Sequence, residues 1–199
     1  MIMRRLEMSV TAMRQRGRHS RPVTMTTLSS RFSNGLCKLL MTFFIRHCDE
    51  EIESKGDRVH EATLLRATFY ILSKQADTAM EDLTRLIEEE TASVSIRVNA
   101  LIKRASLFIQ QCKDPSKDPE LSFADFEKAV TLDPDNADIY HHRGQVNLLI
   151  DATNKAIVDF TKAVTLQPNF AVAYIQKLYT DYRAASTIGK FRFKDSNNS

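Results

Sequence analysis

Residues 125–134 read DFEKAVTLDP and residues 159–168 read DFTKAVTLQP, eight identities in ten positions at an offset of 34. A block recurring at this interval restricts the fold more than composition does, because a unit so short cannot bury a core alone and must stack on its neighbours. Around the second block, Tyr140, Arg143, Gly144 and Asn147 precede Ala156, Phe160, Ala163 and Pro168. Small residues at 144 and 156 let two helices cross closely, and Phe160 fills the space beside them. Pro168 stops the second helix, since it lacks an amide proton and constrains the residue before it. Asn136 and Asn169 stand where caps for the following helices are expected.

This spacing is that of a tetratricopeptide repeat, and earlier copies follow from it. Arg104 and Ala105 take the places of Arg143 and Gly144, with Ser122, Phe126, Ala129 and Pro134 completing the unit. Arg66 and Ala67 are followed by Ala79, Leu83 and Leu86. The extra residues between copies fall in turns or helix ends, the longest turn being 111–120. Residues 39–53 have apolar side chains at helical spacing and read as one more helix. Residues 171–182 repeat the first helix of the unit, with Leu178 where a small residue is expected, and 186–199 turn polar and irregular. The expected fold is all-α: tetratricopeptide-repeat helical hairpins stacked as a short right-handed solenoid over 36–185. A disordered basic tail, 1–35, precedes it, and a disordered tail, 186–199, follows.

The formal net charge of +3 is an average of two unlike parts. Residues 1–35 hold seven Arg and one Glu, so they carry +6, whereas the remaining residues hold 21 basic and 24 acidic side chains. The Arg-rich, acid-poor tail has the composition of a mitochondrial targeting segment or an anionic-surface binder, but only a weak apolar stripe, and reads as a disordered extension. Five Gly, five Pro and no Trp argue against turn-rich sandwiches and barrels. Cys37, Cys48 and Cys112 form no C-x-x-C pair and no disulfide framework, which fits a reducing compartment. The best apolar run, 36–45, contains Lys38 and is about half of the roughly 20 residues that span a bilayer.

The segments LLRATFYIL (64–72), NALIKRAS (99–106), NADIYHHRGQ (136–145) and KAVTLQP (162–168) resemble the mitochondrial import receptor of the outer-membrane translocase, the Tom-seventy family. The resemblance covers 44–185. It implies a non-enzymatic, cytosol-facing helical solenoid on the mitochondrial outer membrane, one that takes hydrophobic precursor proteins from chaperones and works with other translocase subunits. Members of that family carry an N-terminal anchor and a repeat clamp for chaperone tails before the precursor-binding domain. This chain is expected to match the start of that last domain, without the anchor or clamp.

Gripping a chaperone tail needs Lys, Arg and Asn on the inner helix faces. The inner positions are read as Glu61, Leu64 and Thr68, then Asn99, Ile102 and Ser106, then Asp138, His141 and Gln145. That set is too mixed and acidic, so a co-chaperone docking heat-shock chaperone tails is the weaker alternative, beside a non-functional fragment whose basic tail binds anionic surfaces. Asn99, Ile102, Asp138, His141, Gln145 and Ile175 are the candidate precursor-binding face. Of the neighbours His141 and His142, one is expected to line the groove and the other to pack at the helix crossing; their directions differ by about 100°, so a shared metal is not expected. Arg66, Arg104 and Arg143 read as a structural ladder pairing with Asp82, Asp125 and Asp159. No catalytic constellation or cofactor motif is present, and no nucleic-acid partner is expected.

Overall fold

The computed structural model describes the backbone of residues 25–111 and 119–196, and the side chains of 35–111 and 119–186. The chain divides into two units, 1–43 and 44–199. Among the described residues there are eight helices: α1 (Met25–Glu53), α2 (Val59–Leu72), α3 (Ala76–Glu88), α4 (Val94–Gln111), α5 (Glu120–Leu132), α6 (Ala137–Leu149), α7 (Thr153–Leu166) and α8 (Ala171–Ser196). The described part of the first unit is the start of α1, whose Leu36, Leu39 and Phe43 are exposed. No helix of the described residues is long and apolar enough to cross a membrane.

In the second unit the helices pair as hairpins, α2 with α3, α4 with α5 and α6 with α7, and each hairpin packs on the next. The first helices α2, α4 and α6 also touch one another in series. The small residues sit where the repeat pattern requires: Ala67, Ala105 and Ala156 have no exposed surface, nor do Phe126 and Phe160 beside them. One core cluster joins Val98, Leu101, Ala105, Phe126, Ile139 and Val146 across two hairpins, so the units share their interior rather than owning separate ones.

Gly144 is the tightest crossing. A Cβ built there lies 2.7 and 2.9 Å from two ring carbons of Phe160. Alanine in a helix gains about 0.5–1 kcal/mol over glycine, while overpacking a rigid core costs about 1–3 kcal/mol. Phe160 is fully buried and cannot swing away, so Gly144→Ala is expected to lower stability by about 1–2 kcal/mol, read from the urea midpoint. A stabilised variant would mean that the ring yields.

The predicted arginine ladder is present. Arg66 donates to both carboxylate oxygens of Asp82 at 2.8 and 2.7 Å, and Arg104 to both of Asp125 at 2.8 Å. Arg143 donates to Asp159 at 2.7–3.2 Å, and Asn147 donates to the same carboxylate at 2.8 Å. Each guanidinium also reaches back to the second helix of the preceding hairpin: Arg66 to Asp49, Arg104 to the Thr84 hydroxyl, Arg143 to Glu127. The ladder thus ties each unit internally and to its predecessor, with Asp49 showing that the end of α1 acts as the second helix of an earlier unit.

The turns inside two hairpins are closed by a non-glycine residue with positive φ, Lys74 at 62° and Asp151 at 58°. In each the next amide donates back five residues, Gln75 to Tyr70 and Ala152 to Asn147, both at 2.8 Å. Sequence periodicity carries no sign of this, because glycine is the usual marker of such a turn. Asn136 caps α6 by accepting from the Asp138 amide at 3.1 Å. Asn169 does not stand in the same place: Phe170 precedes Ala171, and Asn169 offers α8 its backbone carbonyl.

Both ends of the array differ from the expected boundaries. Helix α1 begins at Met25, inside the stretch read as a tail, and α8 continues to Ser196, through most of the stretch read as irregular. A lone glycine costs a helix only about 1 kcal/mol, so neither Gly35 nor Gly189 ends one. The tail before residue 25, the lengthened turn from 112 to 118 and Cys112 lie outside the described residues. Cys37 is exposed, while Cys48 is buried and burial pushes its thiol up, away from reactivity.

Candidate peptide-binding groove

The series α2, α4, α6 leaves one open groove of about 450 Å³. Thr68, Ile71 and Leu72 form one wall, Asn99, Ile102, Lys103, Ser106, Leu107 and Gln110 the floor, and Asp138, His142 and Gln145 the other wall. The spacing explains the set: 99, 103, 106 and 110 form one stripe of α4, and 138, 142 and 145 form the matching stripe of α6. Asn99, Ile102, Asp138 and Gln145 of the expected face therefore come together.

His141 and Ile175 do not join them. His141 is buried, with its ring 4.9 Å from Phe170 and 6.2 Å from Phe160. It points to the junction of α6, α7 and α8, and its neighbour His142 is the histidine of the groove. The physical reason is register, since 138, 141 and 145 and 138, 142 and 145 are both allowed helical stripes, and only the docking of α8 selects between them. Ile175 occupies the same repeat position as His141, at an interval of 34 residues. It lies on α8, outside the groove, and is 65% exposed.

The groove's electrostatics are set by burial. Thr68 and Ser106 donate their hydroxyl protons to Leu64 and Ile102 carbonyls of their own helices, and the Asn99 amide donates to Ser95. Lys103 is the one cation among the described lining residues, and desolvation pushes its ammonium below the usual lysine range. Desolvation first, then the proximity of His141, pushes His142 below the usual histidine range, while Asp138 and Gln145 oppose that shift.

His141 is also held low by desolvation. Neither ring nitrogen completes a hydrogen bond, and the side chain of Gln176 on α8, whose Oε1 equally lacks a donor, is the amide that faces it. A histidine with a lowered folded-state pKa is stabilising above its unfolded value and loses that contribution as pH falls. The unfolded chain takes the proton near pH 6.5, so thermal stability is expected to drop as pH falls below about 6.5. His141→Leu should flatten this drop in melting curves taken between pH 7 and 5; an equally steep drop in the variant would clear His141 of the effect.

Stacked helical hairpins at a 34-residue period with small residues at their crossings define a tetratricopeptide-repeat protein, and residues 137–170 match the tetratricopeptide repeat family. Over 143 residues the chain is 45% identical to the mitochondrial import receptor subunit TOM70 of Homo sapiens and 44% identical to that of Rattus norvegicus. These alignments cover 72% of this chain, which spans 23% of the length of either relative. The crystal structure of yeast Tom70 matches with a TM-score of 0.59 at 26% identity, covering 73% of this chain and 29% of that one. The chain is a tetratricopeptide-repeat protein, and the family it resembles is that of the mitochondrial import receptor TOM70.

Lys103 and His142 escaped the sequence reading. The available signal was that Lys103 and His142 each lie next to a ladder arginine, Arg104 and Arg143, at one repeat position, beside a residue already assigned to the face.

Proposed function

We propose that this chain is a non-enzymatic peptide-binding segment of an import receptor, acting at the cytosolic face of the mitochondrial outer membrane. Its groove takes a hydrophobic or amphipathic segment of a mitochondrial precursor protein, with other translocase subunits as partners. The observation that carries this reading is the groove across α2, α4 and α6, with apolar Ile71, Leu72, Ile102 and Leu107 beside polar Asn99, Asp138, His142 and Gln145. Such a surface gains affinity from apolar area and specificity from a few polar contacts. The likeness to TOM70 supplies the class of ligand.

The test is a panel of overlapping peptides from hydrophobic mitochondrial precursors, assayed against the full chain by fluorescence anisotropy. Binding is expected, and the double variant His142→Ala with Gln145→Ala should weaken it about tenfold or more, as for central contacts of an interface, with unchanged circular dichroism. A folded double variant with unaltered affinity would take this groove out of the account.

A further inference from the structure

We propose that the groove selects, within the peptide class just described, segments that place an acidic side chain against Lys103, with apolar residues on the Ile71, Leu72 and Leu107 side. This inference rests on the receptor reading and adds to it a chemical preference.

Lys103 lies mid-helix on the groove floor, between the wall of α2 and the wall of α6. Thr68, Ser106 and Asn99 of that surface are already engaged as donors, with carbonyls of their own helices, and the remaining amides, Gln110 and Gln145, are neutral. Asp138, the acid of the opposite wall, lies at the first turn of α6 and acts on His142. Loss of water lowers the Lys103 ammonium, and its charge in turn helps to hold His142 neutral. A partly desolvated cation that makes no ion pair among the described residues bears a cost which a carboxylate removes on binding. A second basic side chain brought to the same place would add to that cost. The ladder arginines Arg66, Arg104 and Arg143 cannot serve the ligand instead, because each is held by an aspartate, and Arg97 of α4 is not among the groove-lining residues. Lys103 sits one residue from Arg104 and one stripe away, and it is the one Lys or Arg among the described lining residues of the groove.

The apolar side chains fix the pattern that the acid must fit. Leu72 is 62% exposed, Ile71 beside it is half-buried, and Leu107, 3% exposed, seals the apolar side of the groove. An amphipathic segment with its apolar side chains on this edge and a carboxylate toward the floor meets both demands. A segment with basic side chains at the same register meets only the first.

The experiment uses the full chain and the panel of precursor peptides, with both termini blocked so that only side-chain carboxylates are present. Each peptide that binds is resynthesised with its Asp and Glu as Asn and Gln, and the wild type is compared with Lys103→Met and Lys103→Arg. Amide replacement is expected to weaken binding about tenfold, the range of a charge-assisted hydrogen bond. Lys103→Met should erase the difference between acid and amide, and Lys103→Arg should keep it. Met retains the apolar stem, and removing a desolvated charge does not unfold the helix, so circular dichroism should be unchanged. Peptides that bind equally as acids and amides, or a discrimination that survives in Lys103→Met, overturn this inference and leave the receptor reading standing. A panel in which no peptide binds overturns the receptor reading itself.

Discussion

Phe160→Ala should cost about 3–5 kcal/mol, the range for deleting a buried aromatic ring. The ring has no exposed surface, fills the gap opened by Gly144, and supports the His141 ring at 6.2 Å. Few neighbours can collapse into the space, because the crossing at Gly144 is set by two helix backbones rather than by side chains. Urea denaturation followed by circular dichroism measures the loss, and hydrogen exchange should place it in α6, α7 and the start of α8, since each repeat leans only on its neighbours. A loss below about 1 kcal/mol would show that the hairpin closes up after truncation. The same geometry couples two positions: Phe160→Leu should relieve the clash created by Gly144→Ala, so the double variant should be more stable than the sum of the single losses implies.

Asp125→Ala is expected to be nearly as severe, at about 3–5 kcal/mol for removing one partner of a buried ion pair. The comparison among the three ladder sites sharpens this. Arg66 retains Asp49 when Asp82 is lost, and Arg143 retains Glu127 when Asp159 is lost. Arg104 has the Thr84 hydroxyl as its other hydrogen-bond partner and the Phe108 ring 5.9 Å away, but no second carboxylate, with 14% of its side chain exposed. Removing Asp125 therefore leaves a buried guanidinium without any carboxylate, and the expected order of damage is Asp125 above Asp82 and Asp159. Equilibrium unfolding of the three alanine variants gives the order directly; equal losses at all three sites would mean that the back-reaching contacts of Asp49 and Glu127 contribute nothing.

The ladder and the groove were unequally visible in the sequence. Arg66, Arg104 and Arg143 recur at one repeat position and Asp82, Asp125 and Asp159 at another, so their pairing could be anticipated from recurrence and opposite charge. Nothing in that pattern foretold Asp49, Thr84 and Glu127, three different residue types at one structural place. The groove was half legible. Asn99, Ile102, Asp138 and Gln145 were placed on the face that they occupy, whereas His141 and Ile175 were not part of it and Lys103 and His142 were.

What the sequence determined by itself was the repeat: its period, its hairpin of helices, its small and large residues at the crossings, and its charged pairs. These follow from chain-local rules, because a 34-residue interval, an alanine four residues before a phenylalanine, and a proline at a helix end each impose themselves wherever they occur. What only the tertiary structure decided was which of two adjacent stripes on α6 faces the groove. Residues 141 and 142 are equally permitted by helical spacing. The choice fell to α8 and the turn before it: Gln176 and Phe170 close over one imidazole and leave the other to the groove.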